Sequence, residues 1–496
     1  MIERSAGILM HITSLPSPYG IGTIGRSAYD FIDFLKAARM HYWQILPICP
    51  PSEGNSPYSA YSSFAGNPLL IDLDLLIEDS LLKEEELKSV KWSKREDRVD
   101  FNIVNKERKK LFELVCSRFD RGDEKYRSFV EDNKSWLLNY AIFMTLSDIN
   151  KAKPWYKWKG ELKKPYSKKG LKIIEDNYDI YEYHLILQYI FYHQWSKLLA
   201  YAHENGIKII GDLPIYVGLN SSDVYGNQEL FKLANDCVPT EVAGCPPDAY
   251  ALDGQKWGNP LYDWDYHKKT DYSWWIERIR HNLSLVDVLR IDHFRGFDAY
   301  FAIPYDKSAK DGRWQKGPGM DFFNKLKIKI EDVDLIAEDL GYYTPSLKSL
   351  LKDSGYPGMR VLEFAFDSRD DHKSDYLPHK YIENTVAYTG THDNNTLIGW
   401  INSAYSGDIK YACDYVGAKN RKELPKLLMK SLWMSKAKLV IVQAQDILGL
   451  DGKSRMNIPS VPRGNWSWRA KRDSFAYDLA EKLAYEINLY GRDEDE

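Results

Sequence analysis

Eight short apolar runs, separated by helical patterns, are the feature that most constrains how this chain can fold. The runs are AGILMHI (6–12), HYWQILP (41–47), IKIIGDL (207–213), VDVLRID (286–292), DLIAEDL (334–340), MRVLEFA (359–365), TVAYTGTHD (385–393) and KLVIVQ (438–443). They are too short for helices and almost continuously apolar, as strands of a parallel sheet covered on both faces are. Amphipathic segments such as 26–38 and 182–206 lie between them. Eight strands alternating with helices predict an α/β fold, a (β/α)8 TIM barrel, with a doubly wound open sheet as the structural alternative.

The gap between the second and third runs is too long for a simple barrel connection. Residues 74–180 are rich in lysine and glutamate, yet they carry aromatic residues that a disordered linker would lack. These include Trp92, Phe112, Trp136, Tyr140, Trp155 and Trp158. We therefore expect one catalytic barrel domain over 1–496, with a large, mostly helical insertion subdomain at 74–180 after the second strand and further insertions in the active-site loops.

Bulk composition excludes several classes of partner. The 67 basic and 71 acidic residues leave a net charge of only −4, which favours neither nucleic acid nor a membrane surface as a partner. No run approaches the roughly 18 apolar residues of a membrane span, and the N-terminus shows no basic leader. The five cysteines are scattered and odd in number, as a reducing compartment permits. A cytoplasmic protein is expected, and its oligomeric state stays undefined.

Carboxylates fall at the ends of four of the predicted strands. Asp212 is predicted to end the third strand, Asp292 the fourth, Glu338 the fifth and Asp393 the seventh. In a barrel the carboxyl ends of the strands converge on one face, so the four acids would meet there. An aspartate after a strand is often only a helix cap, a reading that suits Asp393 and Asp212 better than Asp292. The convergence of four acids, rather than any one of them, indicates a site.

Paired carboxylates with different pKa values are what cleavage of a glycosidic bond requires. One stays ionised and attacks the anomeric carbon, while the other is protonated and donates to the leaving oxygen. Arg290 lies two residues before Asp292, so both point to the same side of the strand, where a cation would keep Asp292 ionised. His392 would add a donor for sugar hydroxyls, although a buried structural histidine is the plain alternative. The acids are not spaced with histidine or cysteine as metal ligands are, so no metal and no organic cofactor is expected.

Several longer segments resemble the amylomaltases, the 4-α-glucanotransferases of glycoside hydrolase family 77. The matching segments, in order along nearly the whole chain outside the insertion, are HITSLPSPYGIGTIG (11–25), SPYSAYSSFAGNPLLIDL (56–73), GDLPIYV (211–217), CPPDAYALDGQKWGNPLYDW (245–264), LRIDHFRGF (289–297), IAEDLG (336–341), YTGTHDN (388–394) and RMN (455–457). The combination is highly specific, although no single segment is.

The resemblance implies roles for individual residues. Asp292 would be the nucleophile, Glu338 the acid/base and Asp393 a stabiliser of the transition state. The residues implied to bind substrate are Ser56, Tyr58, Asp212, Tyr250, Gln255, Trp257, Arg290, His392 and Asn457, with Tyr250 in a lid. The implied activity is transfer of a segment of a 1,4-α-D-glucan to the 4-hydroxyl of an acceptor glucan or glucose, by double displacement with retention. Maltooligosaccharides and α-1,4-glucans would be the substrates.

Departures from the family pattern and rival functions remain. Ile458-Pro459-Ser460-Val461 follows RMN, Asn394-Asn395-Thr396 replaces a commoner Asn-Asp-Thr, and Asn220, Tyr225 and Gln228 replace a more usual Asp, Trp and Pro. An α-glucan hydrolase with the same acids is the main alternative function. A non-catalytic glucan-binding module would have no reason to keep Asp292 and Glu338. The pattern Gly20-x-Gly22-x-x-Gly25 could bind a dinucleotide, but SLPSPY separates it from the strand and no acid for a ribose follows.

Overall fold

A closed barrel of eight parallel strands forms the centre of the protein. The computed structural model describes residues 2–52, 54–93, 95–247, 252–341, 343–370, 374–461 and 463–493. The barrel strands are β1 (Ser5–Leu9), β2 (Tyr42–Gln44), β3 (Lys208–Pro214), β6 (Val288–Asp292), β9 (Leu335–Ala337), β10 (Gly358–Val361), β11 (Thr385–Tyr388) and β12 (Leu439–Gln443). Their order around the barrel is β1-β12-β11-β10-β9-β6-β3-β2, and β2 pairs back with β1. The predicted (β/α)8 barrel is confirmed, and closure excludes the open sheet.

Seven of the eight barrel strands are shorter than the apolar runs that predicted them, and β3 is as long as its run. Asp292 is the last residue of β6, as expected, but Asp212 lies inside β3. Glu338 comes directly after β9, and Asp393 lies five residues beyond the end of β11. Placing these three acids at the last position of a strand was therefore wrong. After β11 the loop that carries Asp393 satisfies part of its own backbone, because the Asn394 side chain accepts the N–H of Thr391 at 2.9 Å.

Helices surround the barrel and fill the long gap after β2. They are α1 (Arg26–Ala37), α2 (Leu73–Glu78), α3 (Glu84–Lys88), α4 (Phe101–Arg118), α5 (Glu124–Asp132), α6 (Lys134–Ile149), α7 (Lys168–Asp176), α8 (Tyr178–Glu204), α9 (Ser222–Gly226), α10 (Trp264–Lys269), α11 (Ser273–Leu283), α12 (Met320–Lys329), α13 (Pro345–Ser354), α14 (Leu397–Ser403), α15 (Ser406–Val416), α16 (Leu424–Trp433), α17 (Ala444–Ile447) and α18 (Tyr477–Leu489). Among the described residues, no helix combines the length and apolarity that crossing a bilayer requires.

The helices between β2 and β3 share one hydrophobic core with the barrel. Their buried Trp136, Leu146 and Trp155 belong to the same cluster as the strand residues Ile210 and Val440. Helix α8 is tied to the loop after β2 by paired amide bonds. The Gln188 side chain accepts the N–H of Gly66 at 2.7 Å and donates to its carbonyl at 2.8 Å. Gln194 makes the same exchange with Asp72. These contacts fix the long segment against a loop at the substrate end of the barrel.

A second, antiparallel sheet rises from the loops that follow β3 and β6. It has the order β5-β4-β7-β8, with β4 (Glu241–Cys245), β5 (Gln255–Pro260), β7 (Ala299–Pro304) and β8 (Arg313–Lys316). Both loops leave the C-terminal ends of barrel strands, where the sites of such barrels are built. The sheet therefore carries Gln255 and Trp257 over the same face as the strand-end acids.

Candidate active site

Arg290 joins two of the acids. One terminal nitrogen of its guanidinium lies 2.7 Å from both carboxylate oxygens of Asp212, and the other lies 3.0 Å from Asp292. Alternation along β6 places Arg290 and Asp292 on the same side, as predicted. Arg290 and Asp212 are almost completely buried, whereas 29% of the Asp292 side chain is exposed. Burial raises the pKa of Asp212, and the cation of Arg290 opposes that rise. Of the two carboxylates, Asp292 is thus the one that a ligand can reach.

Tyr58 and His392 extend this network to a third acid. The Tyr58 hydroxyl donates to Asp212 at 2.5 Å, and it lies 3.1 Å from Nδ1 of His392. The Tyr58 hydroxyl has one proton, which it donates to Asp212, so its oxygen can only accept a hydrogen bond from His392. That contact therefore requires a proton on Nδ1 of His392. Nε2 of His392 lies 3.4 Å from Asp393. Burial alone would lower the pKa of His392, but the Asp393 carboxylate raises it. The Tyr58 and His392 rings are stacked with centroids 4.6 Å apart.

Glu338 is held by backbone donors in a buried position. Its carboxyl oxygens accept the N–H of His293 at 2.6 Å and the N–H of Leu340 at 3.0 Å. His293 directs its N–H there from a left-handed backbone, with φ at 53°. Burial and the neighbouring charge of Asp292 raise the pKa of Glu338 to about 8. At neutral pH this side chain is a carboxylic acid, able to donate a proton.

Asp393 is positioned by residues from the loop after β12. Asn457 donates to its carboxylate at 2.6 Å, and Arg455 donates to its backbone carbonyl at 2.7 Å. Arg455 also donates to the carbonyl of Asn457 at 3.2 Å. Enclosure by protein atoms would raise the pKa of Asp393, but the charge of His392 and hydrogen bonds from His392 and Asn457 hold it well below its usual range. Asp393 is therefore the opposite of Glu338, a carboxylate that stays ionised.

Two further acids contact the segment that follows Asp393 and were missed by sequence reasoning: Asp446, which is buried, and Glu363, which is partly buried. Asp446, just after β12, accepts the N–H of Leu397 at 2.7 Å, and burial raises its pKa to about 7. Burial and the charge of Asp446 raise the pKa of Glu363 well above its ordinary value, while Arg455 opposes that rise. The signal for Glu363 was present in the run MRVLEFA, where an acid interrupts an apolar strand. Arg455 stood in the RMN segment without an assigned role.

The remaining predicted residues divide between the sheet and the loop after β2. Gln255 accepts the indole N–H of Trp257 at 3.0 Å, and the Trp257 ring stands edge-on to His293 with centroids 5.0 Å apart. Trp257 is 37% exposed, so part of its side chain is open to a ligand. The Ser56 hydroxyl accepts the N–H of Tyr58 at 3.3 Å and thus shapes the loop that carries Tyr58. Tyr250 lies outside the described residues.

The glycine pattern after β1 has a packing explanation. A Cβ at Gly22 would lie 1.9 Å from the carbonyl oxygen of Ile12, and one at Gly25 would lie 2.0 Å from the Asp72 carboxylate. The space that a pyrophosphate would occupy beside these glycines is therefore filled by protein atoms. Within the described residues, no three His, Cys, Asp or Glu side chains group as metal ligands.

Three of the departures from the family pattern contact one segment of the insertion. The Asn220 side chain accepts the N–H of Trp155 at 3.2 Å, and Gln228 donates to the carbonyl of Lys163 at 2.7 Å. Tyr225 packs against Trp155 and Trp158, with ring centroids 5.6 and 5.5 Å away. These three residues hold the insertion through its segment 155–163, and they do not contact the network of acids.

A closed barrel with a protonated glutamic acid and cation-paired aspartates at its substrate end defines a carbohydrate-active barrel enzyme. Residues 10–474 match the family model described as 4-alpha-glucanotransferase. The chain is 43% identical to the 4-alpha-glucanotransferase of Clostridium butyricum over 97% of its own length and 100% of that protein, and 42% identical to that of Aquifex aeolicus over 99% and 100%. The solved structure of amylomaltase from Streptococcus agalactiae in complex with acarbose superposes with a TM-score of 0.96 at 37% identity, covering 99% of this chain and 100% of that one. The chain belongs to the 4-alpha-glucanotransferase family, whose activity is the transfer of glucan segments.

Proposed function

We propose that this chain transfers segments of 1,4-α-D-glucans by double displacement, with Asp292 as nucleophile, Glu338 as acid/base and Asp393 as the stabiliser of the transition state. One observation carries the assignment: a buried glutamic acid, with its pKa raised to about 8, next to an accessible aspartate paired with Arg290. This is the division of labour that retaining cleavage requires. Maltooligosaccharides and α-1,4-glucans are the proposed substrates.

In the first half-reaction Glu338 protonates the glycosidic oxygen while Asp292 attacks the anomeric carbon. The C–O bond to the leaving glucan breaks, and an ester bond from the sugar to Asp292 forms. Asp393 stays ionised and faces the positive charge that develops on the sugar. Tyr58, stacked on His392, offers a ring to the sugar before the scissile bond, and Arg290 and His392 contact its hydroxyls.

In the second half-reaction the 4-hydroxyl of an acceptor glucan replaces the leaving group. Glu338, now a carboxylate, takes the proton from that hydroxyl, and the new glycosidic bond displaces Asp292 with a second inversion. Transfer wins over hydrolysis only if an acceptor sugar is positioned better than water. We propose that the acceptor sugar packs on the exposed part of the Trp257 indole, next to His293. Gln255, which accepts a hydrogen bond from Trp257, fixes the orientation of that ring.

The products of maltotriose test the reaction type. A transferase converts maltotriose into glucose and a ladder of longer maltodextrins, whereas a hydrolase of the same barrel type yields glucose and maltose alone. Asp292→Asn is expected to abolish turnover while glucan binding persists. Asp287→Asn is the matched control, because Asp287 precedes the same strand and contacts His203 at 2.8 Å, at the opposite end of the barrel strand. Full activity of Asp292→Asn would overturn the assignment.

The five cysteines support a cytoplasmic setting for this carbohydrate metabolism. All five lie within the described residues, and none of them forms a disulfide there. A reducing compartment keeps cysteines from forming disulfides. Fractionation of the source cells, followed by assay of maltotriose disproportionation in each fraction, tests this proposal. Activity confined to an extracellular fraction would contradict it.

A further inference from the structure

The segment 151–169 of the insertion carries a concentrated positive charge. It contains eight lysines and one glutamate, although the whole chain has a net charge of −4. We call its seven exposed lysines the basic surface: Lys151, Lys153, Lys157, Lys159, Lys164, Lys168 and Lys169. The rest of the chain is correspondingly acidic, so the positive charge is local to this surface.

The basic surface differs from several other exposed lysines of the insertion. Lys88, Lys110 and Lys134 each pair with a glutamate one helical turn away. Within the described part of the chain, none of the seven lysines forms an ion pair with a carboxylate. Lys168 and Lys169 occupy the first turn of α7, where the helix dipole disfavours cations and where no acidic residue stands. Lys157 lies over the Tyr156 ring, 5.9 Å from its centroid, but within the described residues no carboxylate pairs with any of these charges, and a bound anion would relieve their repulsion.

An exposed tyrosine stands among these lysines. The Tyr166 side chain is 52% exposed, although its backbone has φ at 55°, a conformation that bulky residues rarely adopt. Strained conformations of this kind persist where the surrounding structure imposes them and often mark functional sites. The Tyr178 ring is also half exposed and lies 5.8 Å from that of Tyr181. Aromatic faces beside lysines offer both a surface for a sugar ring and cations for an anionic group.

The segment is fixed to the substrate end of the barrel. Trp155 is fully buried and donates its indole N–H to the carbonyl of Leu219 at 2.6 Å. Tyr225 donates to the carbonyl of Lys164 at 3.3 Å, and Gln228 donates to that of Lys163. Leu219, Tyr225 and Gln228 all belong to the loop that follows β3, the strand that carries Asp212. The basic surface thus lies on the same loop system that borders the active site.

We propose that the basic surface and Tyr166 bind the phosphate monoesters of a phosphorylated α-glucan whose unmodified part occupies the active site. Lysine is a compact cation suited to phosphate, and Tyr166 provides the face for a neighbouring glucose. A neutral glucan that carries scattered phosphate groups suits a protein whose positive charge is confined to one surface. A continuous polyanion such as nucleic acid would be repelled by the acidic remainder. The proposal rests on the function proposed above, because it takes the polymer to be an α-glucan.

Binding of one polymer with and without its phosphate groups tests this proposal. The probes are an α-1,4-glucan bearing phosphate monoesters and the same glucan after phosphatase treatment. We expect the full chain to bind the phosphorylated form about tenfold more tightly, corresponding to several exposed ion pairs. The difference should shrink as salt is raised, because exposed charges are screened. Equal binding of the two forms at low salt would overturn the proposal.

Lysine-to-glutamine variants test whether the phosphate groups bind at the basic surface. The test variant replaces Lys151, Lys153, Lys157 and Lys159 by glutamine, and the matched control replaces four exposed lysines elsewhere, namely Lys348, Lys352, Lys410 and Lys422. The test variant should lose the preference for phosphorylated glucan, and the control should keep it. Equal loss in both variants, or tighter binding of a short single-stranded RNA with the same phosphate content through these lysines, would refute the assignment. Tyr166→Ala should weaken binding of both glucan forms alike, and no change in either form would remove Tyr166 from the site.

The outcome is separable from that of the main function. Neither lysine variant changes a residue that we place in the active site, so both should give the wild-type product ladder from maltotriose. If the unmodified chain gives the normal product ladder but binds both forms of the polymer equally, only the proposed role of the basic surface is refuted. Absence of the ladder in the unmodified chain refutes the proposed function, whatever the polymer binding shows.

Discussion

Glu338→Gln should change how the stability of the protein depends on pH. In the folded chain the pKa of Glu338 is raised from 4.5 to about 8 by burial and by Asp292. Between these two values the folded state holds a proton that the unfolded state has lost, so this group makes wild-type stability fall as pH rises. From pH 5 to pH 8 the decrease is about 4 kcal/mol, at roughly 1.4 kcal/mol per pH unit. Glutamine does not titrate, so the variant lacks this decrease.

The comparison uses the pH trend rather than the absolute stability. Glutamine has a single oxygen, so it cannot accept both the N–H of His293 and that of Leu340. That loss destabilises the variant by a similar amount at every pH. Equilibrium urea unfolding, followed by tryptophan fluorescence at pH 5, 7 and 9, gives the free energy of unfolding of each protein. Glu85→Gln, at an exposed position, is the control and should follow the wild type. If Glu338→Gln and wild type show the same pH trend, Glu338 is not a buried neutral acid and its proposed role fails.

Three other substitutions test the network around the acids. Tyr58→Phe keeps the ring but removes the hydrogen bond to the Asp212 carboxylate. The kcat/KM for maltotriose should fall about thirtyfold, which corresponds to a loss of about 2 kcal/mol of transition-state stabilisation. Unchanged kinetics would leave Tyr58 with a stacking role only. Arg455→Gln should lower kcat at least about tenfold with little change in KM, since it removes the bond that positions the Asp393 backbone. The exposed Arg472→Gln is its control, and equal effects of the two would argue against positioning. Trp257→Ala should increase the hydrolysed fraction of maltotriose, measured as reducing ends released per transfer, and an unaltered ratio would place the acceptor elsewhere.

Patterns local in sequence predicted most of the framework. Each of the eight apolar runs overlaps a barrel strand, because burial on both faces of a parallel sheet leaves a continuous apolar signature. The same reasoning located the end of β6 at Asp292 and placed Arg290 beside it. It misplaced the ends of β3, β9 and β11, since a strand stops where its neighbour stops pairing, and that is not a property of one segment.

The contacts that define the site could not be predicted in this way. The hydroxyl of Tyr58 meets a carboxylate 154 residues away and a histidine 334 residues away. Arg455 and Glu363 were not assigned roles, because their function depends on the loop of Asp393, to which neither is adjacent in sequence. The sequence predicted only a lysine- and glutamate-rich, mostly helical insertion over residues 74–180. Only its contacts with Asn220, Tyr225 and Gln228 show that it is fixed to the substrate end of the barrel.

The sequence by itself determined the alternation of strands and helices, the four acids near the strand ends and the family resemblance, because each is written in residue order and spacing. The tertiary structure decided which acid is protonated. Glu338 and Asp393 are both carboxyl groups in strand-end loops, yet the pKa of the first is raised by burial beside Asp292. That of the second is lowered by the charge of His392 and a hydrogen bond from Asn457. A pKa follows from solvent exclusion and from the distances to other charges, and those distances exist only after the barrel has closed.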